Sequence, residues 1–339
     1  MKPSLLLVII VFFSSFILTW LVRYVALRKS LIDIPNERSS HTVPKPRGGG
    51  IAIVITWFLC IVFLFINHNI PGGLFFALLC GLPVSLIGLL DDILKIDPRI
   101  RFLIQISAAA GAVLLLGGLS HIDLGFEIIS FPVVLSILAV VGIVWSTNLF
   151  NFLDGIDGYA SAEMIFIGLS AFLLMGSVPP LYLAAMTAGF LIWNWQPAKI
   201  FMGDAGSMLL GFSIATLMIL FGEKIPRWWM ASIVVFGLPI LDTAVALVRR
   251  FINKRPLFLS DRGHIYDQMI DRGIPLKKTV AICYGLAAIY AAIGILMSQI
   301  RTRYALIVYI VVFLVSGIVV WKKGYLKMEG LRGAIRKEE

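Results

Sequence analysis

Apolar residues run along the chain in long blocks separated by short polar stretches, a pattern that predicts membrane-spanning helices rather than amphipathic ones. A window of about 19 residues places the blocks near 4–22, 51–68, 73–90, 102–120, 130–148, 160–176, 180–195, 206–221, 228–248, 279–298 and 304–321. The expected fold is therefore all-α and polytopic, with about eleven transmembrane helices. The blocks at 160–176, 180–195 and 206–221 are short for a hydrocarbon core ~30 Å thick, so their ends are the least defined. The run from Leu5 to Leu21 is too long for a typical signal-peptide core, and no Ala-x-Ala site follows it; it reads as an uncleaved first span. No repeat or soluble domain interrupts the pattern, so residues 1–339 are expected to form a single integral membrane domain.

Composition agrees. The chain is 59% hydrophobic and 14% charged, against about 25% charged for a soluble domain. The net charge of +10 does not indicate nucleic-acid binding, because the basic residues sit in short loops beside apolar spans. Anionic lipids and phosphorylated substrates are the natural partners. With the N-terminus outside, the inner loops hold 24 of the 29 Lys and Arg residues, which sets the C-terminus in the cytoplasm. Cys60, Cys80 and Cys283 lie in apolar runs without CxxC spacing and read as small buried hydrophobes.

The same orientation sends nearly all unusual polar residues to one face. The inner loops carry RSSHTVPKPRGGG, DDILKIDPRIR, NLFNFLDGIDGYA, NWQPAKIFMGDAGS and SDRGHIYDQMIDRG, whereas the outer loops are short and plain. Chemistry on one face favours an enzyme with a cytosolic substrate over a transporter, which needs function on both. The rival reading is a cation-coupled membrane transporter that uses the acidic inner-face cluster.

In NLFNFLDGIDGYA, Asn148, Asn151, Asp154 and Asp157 recur every three residues. On a continuous helix each such step drifts by about 60°. Asn148 and Asn151 are therefore read as a helix's last turn, and Asp154 and Asp157 as a glycine-bent mouth beyond it. Asp91 and Asp92 end the third block, where acids oppose the helix dipole; on a helix their side chains point about 100° apart and can serve different partners. Lys95 follows one turn later and is a candidate for phosphate, while Arg99 and Arg101 read as topology or lipid contacts. Asp204 opens the eighth block in FMGDAGS, where a helix start offers N–H groups to an anion. Five carboxylates converging on one interface need a cation among them, and oxygen donors without a His/Cys cluster suit Mg²⁺ or Mn²⁺.

Asn194 either hydrogen-bonds a substrate or finishes the seventh helix ahead of Pro197. His41 and Arg47 lie in a loop that either reaches over the site or merely links spans. In the long last inner loop, Arg262 and His264 are candidates to clamp an anionic leaving group, with Asp261 orienting one of them. Arg249 and Arg250 read mostly as topology signals, and Asp242 beside Pro239 as a local feature of a kinked helix.

Taken together, the DD pair, the NxxNxxDGxDG stretch and the FMGDAGS stretch resemble the polyprenyl-phosphate N-acetylhexosamine-1-phosphate transferases over about residues 35–270. That family includes the enzymes that start O-antigen, enterobacterial common antigen and teichoic-acid linkage synthesis, and the phospho-MurNAc-pentapeptide translocase. The resemblance implies transfer of a sugar 1-phosphate from a UDP-N-acetylamino sugar to undecaprenyl phosphate, with UMP leaving, Mg²⁺ required, and a multi-pass location in the bacterial inner membrane. It implies that Asp204 is a metal ligand, and that Asp91 and Asp92 lie near the lipid phosphate and the metal. It further implies that Asn151, Asp154 and Asp157 form the nucleotide and metal side, with Asp154 a second ligand, and that His264 opens the histidine motif. Tyr266 and Asp267 stand where many relatives have further histidines. That departure weakens assignment to the GlcNAc-1-phosphate or MurNAc-pentapeptide enzymes and looks more like the O-antigen branch, where 6-deoxy sugars are donors; the expected donor is UDP-GlcNAc or a 6-deoxy relative such as UDP-FucNAc or UDP-QuiNAc. A homodimer is compatible with all of this.

Overall fold

The computed structural model describes residues 4–29, 31–35, 43–124, 127–222, 228–254, 263–299 and 302–324. Among these the chain forms fourteen helices and two small hairpins. In order they are α1 (Leu5–Arg28), β1 (Ile32–Asp33), β2 (Lys45–Pro46), α2 (Gly50–Ile66), α3 (Gly72–Leu79), α4 (Gly81–Leu94) and α5 (Pro98–Leu115). There follow β3 (Ile122–Asp123), β4 (Ile128–Ile129), α6 (Pro132–Leu153), α7 (Tyr159–Met175), α8 (Pro179–Asn194) and α9 (Asp204–Gly222). The chain ends with α10 (Trp228–Val235), α11 (Gly237–Ile252), α12 (Ile265–Asp271), α13 (Leu276–Gln299) and α14 (Thr302–Lys322). Strand β1 pairs antiparallel with β2, and β3 with β4.

The apolar blocks became these helices with two subdivisions. The third is α3 followed directly by α4, and the ninth is broken at Phe236 into α10 and α11. Five helices among the described residues are long and apolar enough to cross a bilayer, counting Gly72–Leu94 as one, and shorter apolar helices accompany them. The fold is thus that of an all-α, multi-pass membrane protein.

Local chemistry sets the helix ends. Pro at the first turn opens α5, α6 and α8, where a missing N–H costs nothing. Several Ser and Thr inside the spans return their hydroxyls to the carbonyl four residues back, as Thr56 does to Ala52, Thr147 to Ile143 and Thr216 to Phe212. These side chains then cross an apolar environment with their hydrogen bonds satisfied.

Helix α9 is the hub. Leu209, Leu210, Phe212, Ile214 and Leu217 are fully buried, and α2, α4 and α6 all pack on it. Contact with α2 is backbone to backbone: a Cβ on Gly206 would lie 2.6 Å from the Cα of Gly50, so neither position admits a side chain. Large side chains such as Leu5, Phe13, Ile137, Val141 and Leu314 stay exposed on the outer helices. In a membrane protein that surface faces lipid.

Candidate active site

The N-terminus of α9 collects carboxylates from three stretches. Asp92, near the end of α4, accepts from the backbone N–H of Asp204 at 3.1 Å and 3.2 Å, and also from that of Ala205. The free N–H groups that open α9 are thus taken by Asp92 itself. Asp154 caps α6 and accepts from the N–H of Gly203 at 3.3 Å. Gly203 has φ +79°, and a Cβ there would stand 2.5 Å from Oδ2 of Asp92. The residue must be glycine for the acid to dock.

Two guanidinium groups lie between the acids. Arg47 places Nη2 2.6 Å from Asp92 and 3.4 Å from Asp204. Arg101 bridges Asp91 and Asp204 through Nη1, the second contact being 3.1 Å. Asp91 also accepts from the N–H of Ile96 at 2.7 Å, which closes the turn between α4 and α5. The adjacent acids therefore serve different partners, as a 100° separation requires.

Arg47 is delivered by a strand-like splice. The N–H of Phe201 bonds the carbonyl of Pro46 at 2.9 Å, and the N–H groups of Gly49 and Gly50 bond the carbonyls of Phe201 and Met202. Lys45, two residues before Arg47, leaves the extended chain on the same side. Its Nζ lies 3.1 Å from Asp157.

Electrostatics follow from this crowding. Burial favours the neutral form of Arg47, but the carboxylates of Asp92, Asp204, Asp33 and Asp154 outweigh it and hold the guanidinium more firmly charged. Asp154 is only half-buried by area yet lies deep among protein atoms. Desolvation, and then repulsion by Asp204, push its carboxyl well above the usual range, against the pull of the Gly203 N–H and Arg47.

The other candidates fall into three groups. Asn151 joins the cluster, bonding the Asp204 side chain and donating to Ser207 Oγ at 3.3 Å. Asn148 lies one turn earlier in α6 and pairs with Gln105 of α5 at 2.7 Å. Asp157 is buried, and its carboxylate serves Lys45 and the N–H of Ala198 at 2.8 Å, latching two loops. Asn194 is buried: its oxygen accepts from the N–H of Gly158 and from Ser161, and its amide donates to the carbonyl of Ile200. These bonds tie the end of α8 to the start of α7 and to the loop at Ile200. Lys95 is exposed and left-handed at the end of α4. His41, Asp261 and Arg262 lie outside the described residues.

Three assignments from sequence need correction. Arg101 does not merely anchor the chain at the lipid surface, because the short α4–α5 turn folds it back onto Asp91 and Asp204. Arg249 and Arg250 are buried rather than simple topology signals, and Arg249 donates to the carbonyl of Gly263 at 3.4 Å. Asp242 is no isolated kink residue. Its Oδ2 lies 2.7 Å from Nδ1 of His264, and its Oδ1 accepts from the N–H of Ile265 at 2.6 Å. Lys45 carried no signal of its own, whereas the short linker after Asp91-Asp92 did foreshadow Arg101. Helices joined by three residues must lie antiparallel, so groups flanking the turn meet.

Tyr266 stacks on His264 with ring centroids 5.3 Å apart and donates to the carbonyl of Phe152 at 3.0 Å. The His264 segment is thereby tied to the end of α6, two residues before Asp154. Among the described residues, no three His, Cys, Asp or Glu side chains already stand as a ligand set around one point. The acids are interleaved with Arg47 and Arg101 instead. In chemistry the donor set is all oxygen, charged and enclosed, which fits a hard divalent cation and does not fit zinc or copper.

Comparison with known proteins places the chain in a family. Residues 74–222 match the family model for glycosyl transferase family 4. The chain is 32% identical over 303 residues to a probable undecaprenyl-phosphate N-acetylglucosaminyl 1-phosphate transferase of Bacillus subtilis, covering 84% of this chain and 82% of that protein. It is 30% identical over 342 residues to the decaprenyl-phosphate N-acetylglucosaminephosphotransferase of Mycobacterium tuberculosis, covering 86% and 82%. It is 28% identical over 309 residues to the undecaprenyl-phosphate alpha-N-acetylglucosaminyl 1-phosphate transferase of Escherichia coli, covering 84% and 82%. The chain belongs to the polyprenyl-phosphate N-acetylhexosamine-1-phosphate transferase family.

Proposed function

We propose that the protein transfers an N-acetylamino-sugar 1-phosphate from a UDP-sugar to undecaprenyl phosphate and releases UMP, starting a lipid-linked cell-surface polysaccharide. The observation that carries this reading is the convergence of Asp91, Asp92, Asp154 and Asp204 with Arg47 and Arg101 at the start of α9. We further read the chain as one domain of about eleven spans in the bacterial inner membrane, N-terminus outside, with this cluster on the cytoplasmic side. The bias of Lys and Arg toward the inner loops supports that orientation.

Asp204 and Asp154 would hold Mg²⁺, with Asp91 and Asp92 beside it, and the ion would neutralise charge on the diphosphate. The protein groups do the positioning. Arg47 and Arg101 are charged donors within reach of the same acids and meet the phosphates of the two substrates. A lipid phosphomonoester has a second pKa near 6 and is mostly dianionic at neutral pH, so it attacks in line without a strong base. Asp91 or Asp92 orients it and takes any residual proton. Asp157 and Asn194 hold the surrounding loops in register through Lys45, Ala198, Gly158 and Ile200.

The names of the relatives favour UDP-GlcNAc as donor. Tyr266 and Asp267 at the later histidine positions keep the 6-deoxy donors of the O-antigen branch in play. Purified protein in detergent, given undecaprenyl phosphate and Mg²⁺, should release UMP from one of UDP-GlcNAc, UDP-FucNAc, UDP-QuiNAc or UDP-MurNAc-pentapeptide. UMP release from none of them, with the protein folded, rejects the reading.

A further inference from the structure

Outside the acid cluster lies a second buried polar assembly that the reaction described so far does not use. It joins α11 to the start of α12. Asp242 is 1% exposed and His264 7%, and both oxygens of Asp242 point at the His264 segment. An acid of this kind deep in a membrane helix is costly unless it is paired and in use.

We propose that Asp242 is a positioning residue for the transfer reaction, gripping His264 by Nδ1 and so committing Nε2 to the anionic sugar nucleotide. The inference rests on the function proposed above and adds a residue that no motif assigns to it. Two observations and one chemical consequence support it. First, the grip is two-point. Oδ2 takes the ring nitrogen and Oδ1 takes the next backbone N–H, so the ring cannot turn without unseating α12. Second, one face of the ring stacks in parallel on Tyr266, which is itself tethered to Phe152. Ring plane and ring rotation are both determined. Third, a histidine held at Nδ1 by a carboxylate presents Nε2–H as a donor when protonated, which suits a phosphate oxygen.

The charges around His264 favour that protonated form. Burial is the largest single influence and opposes it, as does Arg250 of α11, but the charge and hydrogen bond of Asp242 together with Asp267 of α12 outweigh them, leaving the imidazole raised above its ordinary value. Glu163 of α7 lies close enough to Asp242 for their charges to repel.

Asp242→Asn separates this role from simple capping. The Asn oxygen can still accept from Ile265 N–H, but the carboxylate charge is gone. In the wild type, kcat/KM for the UDP-sugar should fall as pH rises through the His264 titration. In Asp242→Asn that fall should move to lower pH. At pH 8 the variant should lose about 10-fold or more, mostly in KM for the UDP-sugar, and lie much closer to wild type at pH 6. A loss equal at all pH values, or no loss, overturns the proposal.

Nitrogen-15 NMR of histidine-labelled protein gives a readout that needs no turnover. The chain has four histidines, and His264→Gln assigns the signal. The wild-type ring should be Nδ1-protonated when neutral, and its titration should move down in Asp242→Asn. An Nε2-protonated neutral ring, or an unmoved titration, overturns the proposal. If wild type releases no UMP, the function fails and the NMR result still judges the pair.

Discussion

A single methyl group at Gly203 should silence the protein without unfolding it. Gly203 sits at φ +79°, and a Cβ there would lie 2.5 Å from Asp92 Oδ2, about 1 Å inside ordinary contact. The backbone strain for an L-residue is ~1–2 kcal/mol. The clash is with a side chain, so the fold yields by swinging Asp92 away. That movement forfeits its charge-assisted bonds from the Asp204 N–H and its 2.6 Å contact with Arg47, a loss of ~1.5–3 kcal/mol per charged bond. Together these disfavour the assembled site by about 100-fold or more, at 1.4 kcal/mol per tenfold. Gly176 is the control. It has φ +62° at the end of α7, but a Cβ there meets nothing within 4 Å. Both Gly203→Ala and Gly176→Ala should give monodisperse protein with a modestly lowered Tm. Only Gly203→Ala should lose UMP release by at least about 100-fold, with Gly176→Ala within a few-fold of wild type. Equal activities in the two variants would refute the reasoning.

Further outcomes follow from the flanking pairs. Lys45→Met leaves Asp157, 4% exposed, facing the Ala198 N–H without its cation; it should cost about 3 kcal/mol, read as a drop in Tm, and adding Asp157→Asn should recover part of it. A double variant as unstable as the sum of the singles would exclude the latch. Asp154 gives a pH signature in metal-free buffer. Its folded carboxyl is raised by burial and by Asp204, so its contribution is fully present below the unfolded value and lost as pH rises through the folded one. Asp154→Asn should therefore gain stability relative to wild type as pH is raised from 4 to 8 under chelator. A gap independent of pH would show that the carboxyl is not raised.

Much of the layout was readable in advance because hydrophobic blocks and helix periodicity are local signals. Asn151 does occupy the last turn of α6 and Asp154 does cap it, while Asn148 stands one turn further back than the spacing suggested. The divergence of Asp91 from Asp92 followed from helix geometry alone. The cations were harder to foresee. Arg47 meets Asp204 across 157 residues and Lys45 meets Asp157 across 112, and ion pairs between loops leave no periodic trace. An arginine beside a span usually signals topology alone, yet the tight turn at Ile96 returns Arg101 to the acids. Asp242 was undervalued for a related reason. Its partner His264 lies in a loop 22 residues on, and only the packing of α11 against α12 joins them.

The most direct test of the central claim follows the β-phosphorus. UDP-GlcNAc labelled with ³²P at the β position is incubated with undecaprenyl phosphate, Mg²⁺ and purified protein, either wild type or Asp204→Asn. The label should pass into the organic phase with the sugar while unlabelled UMP appears, and both should vanish in Asp204→Asn or under chelator. Label left in the water phase as UDP, or transfer undiminished in Asp204→Asn, would contradict the account.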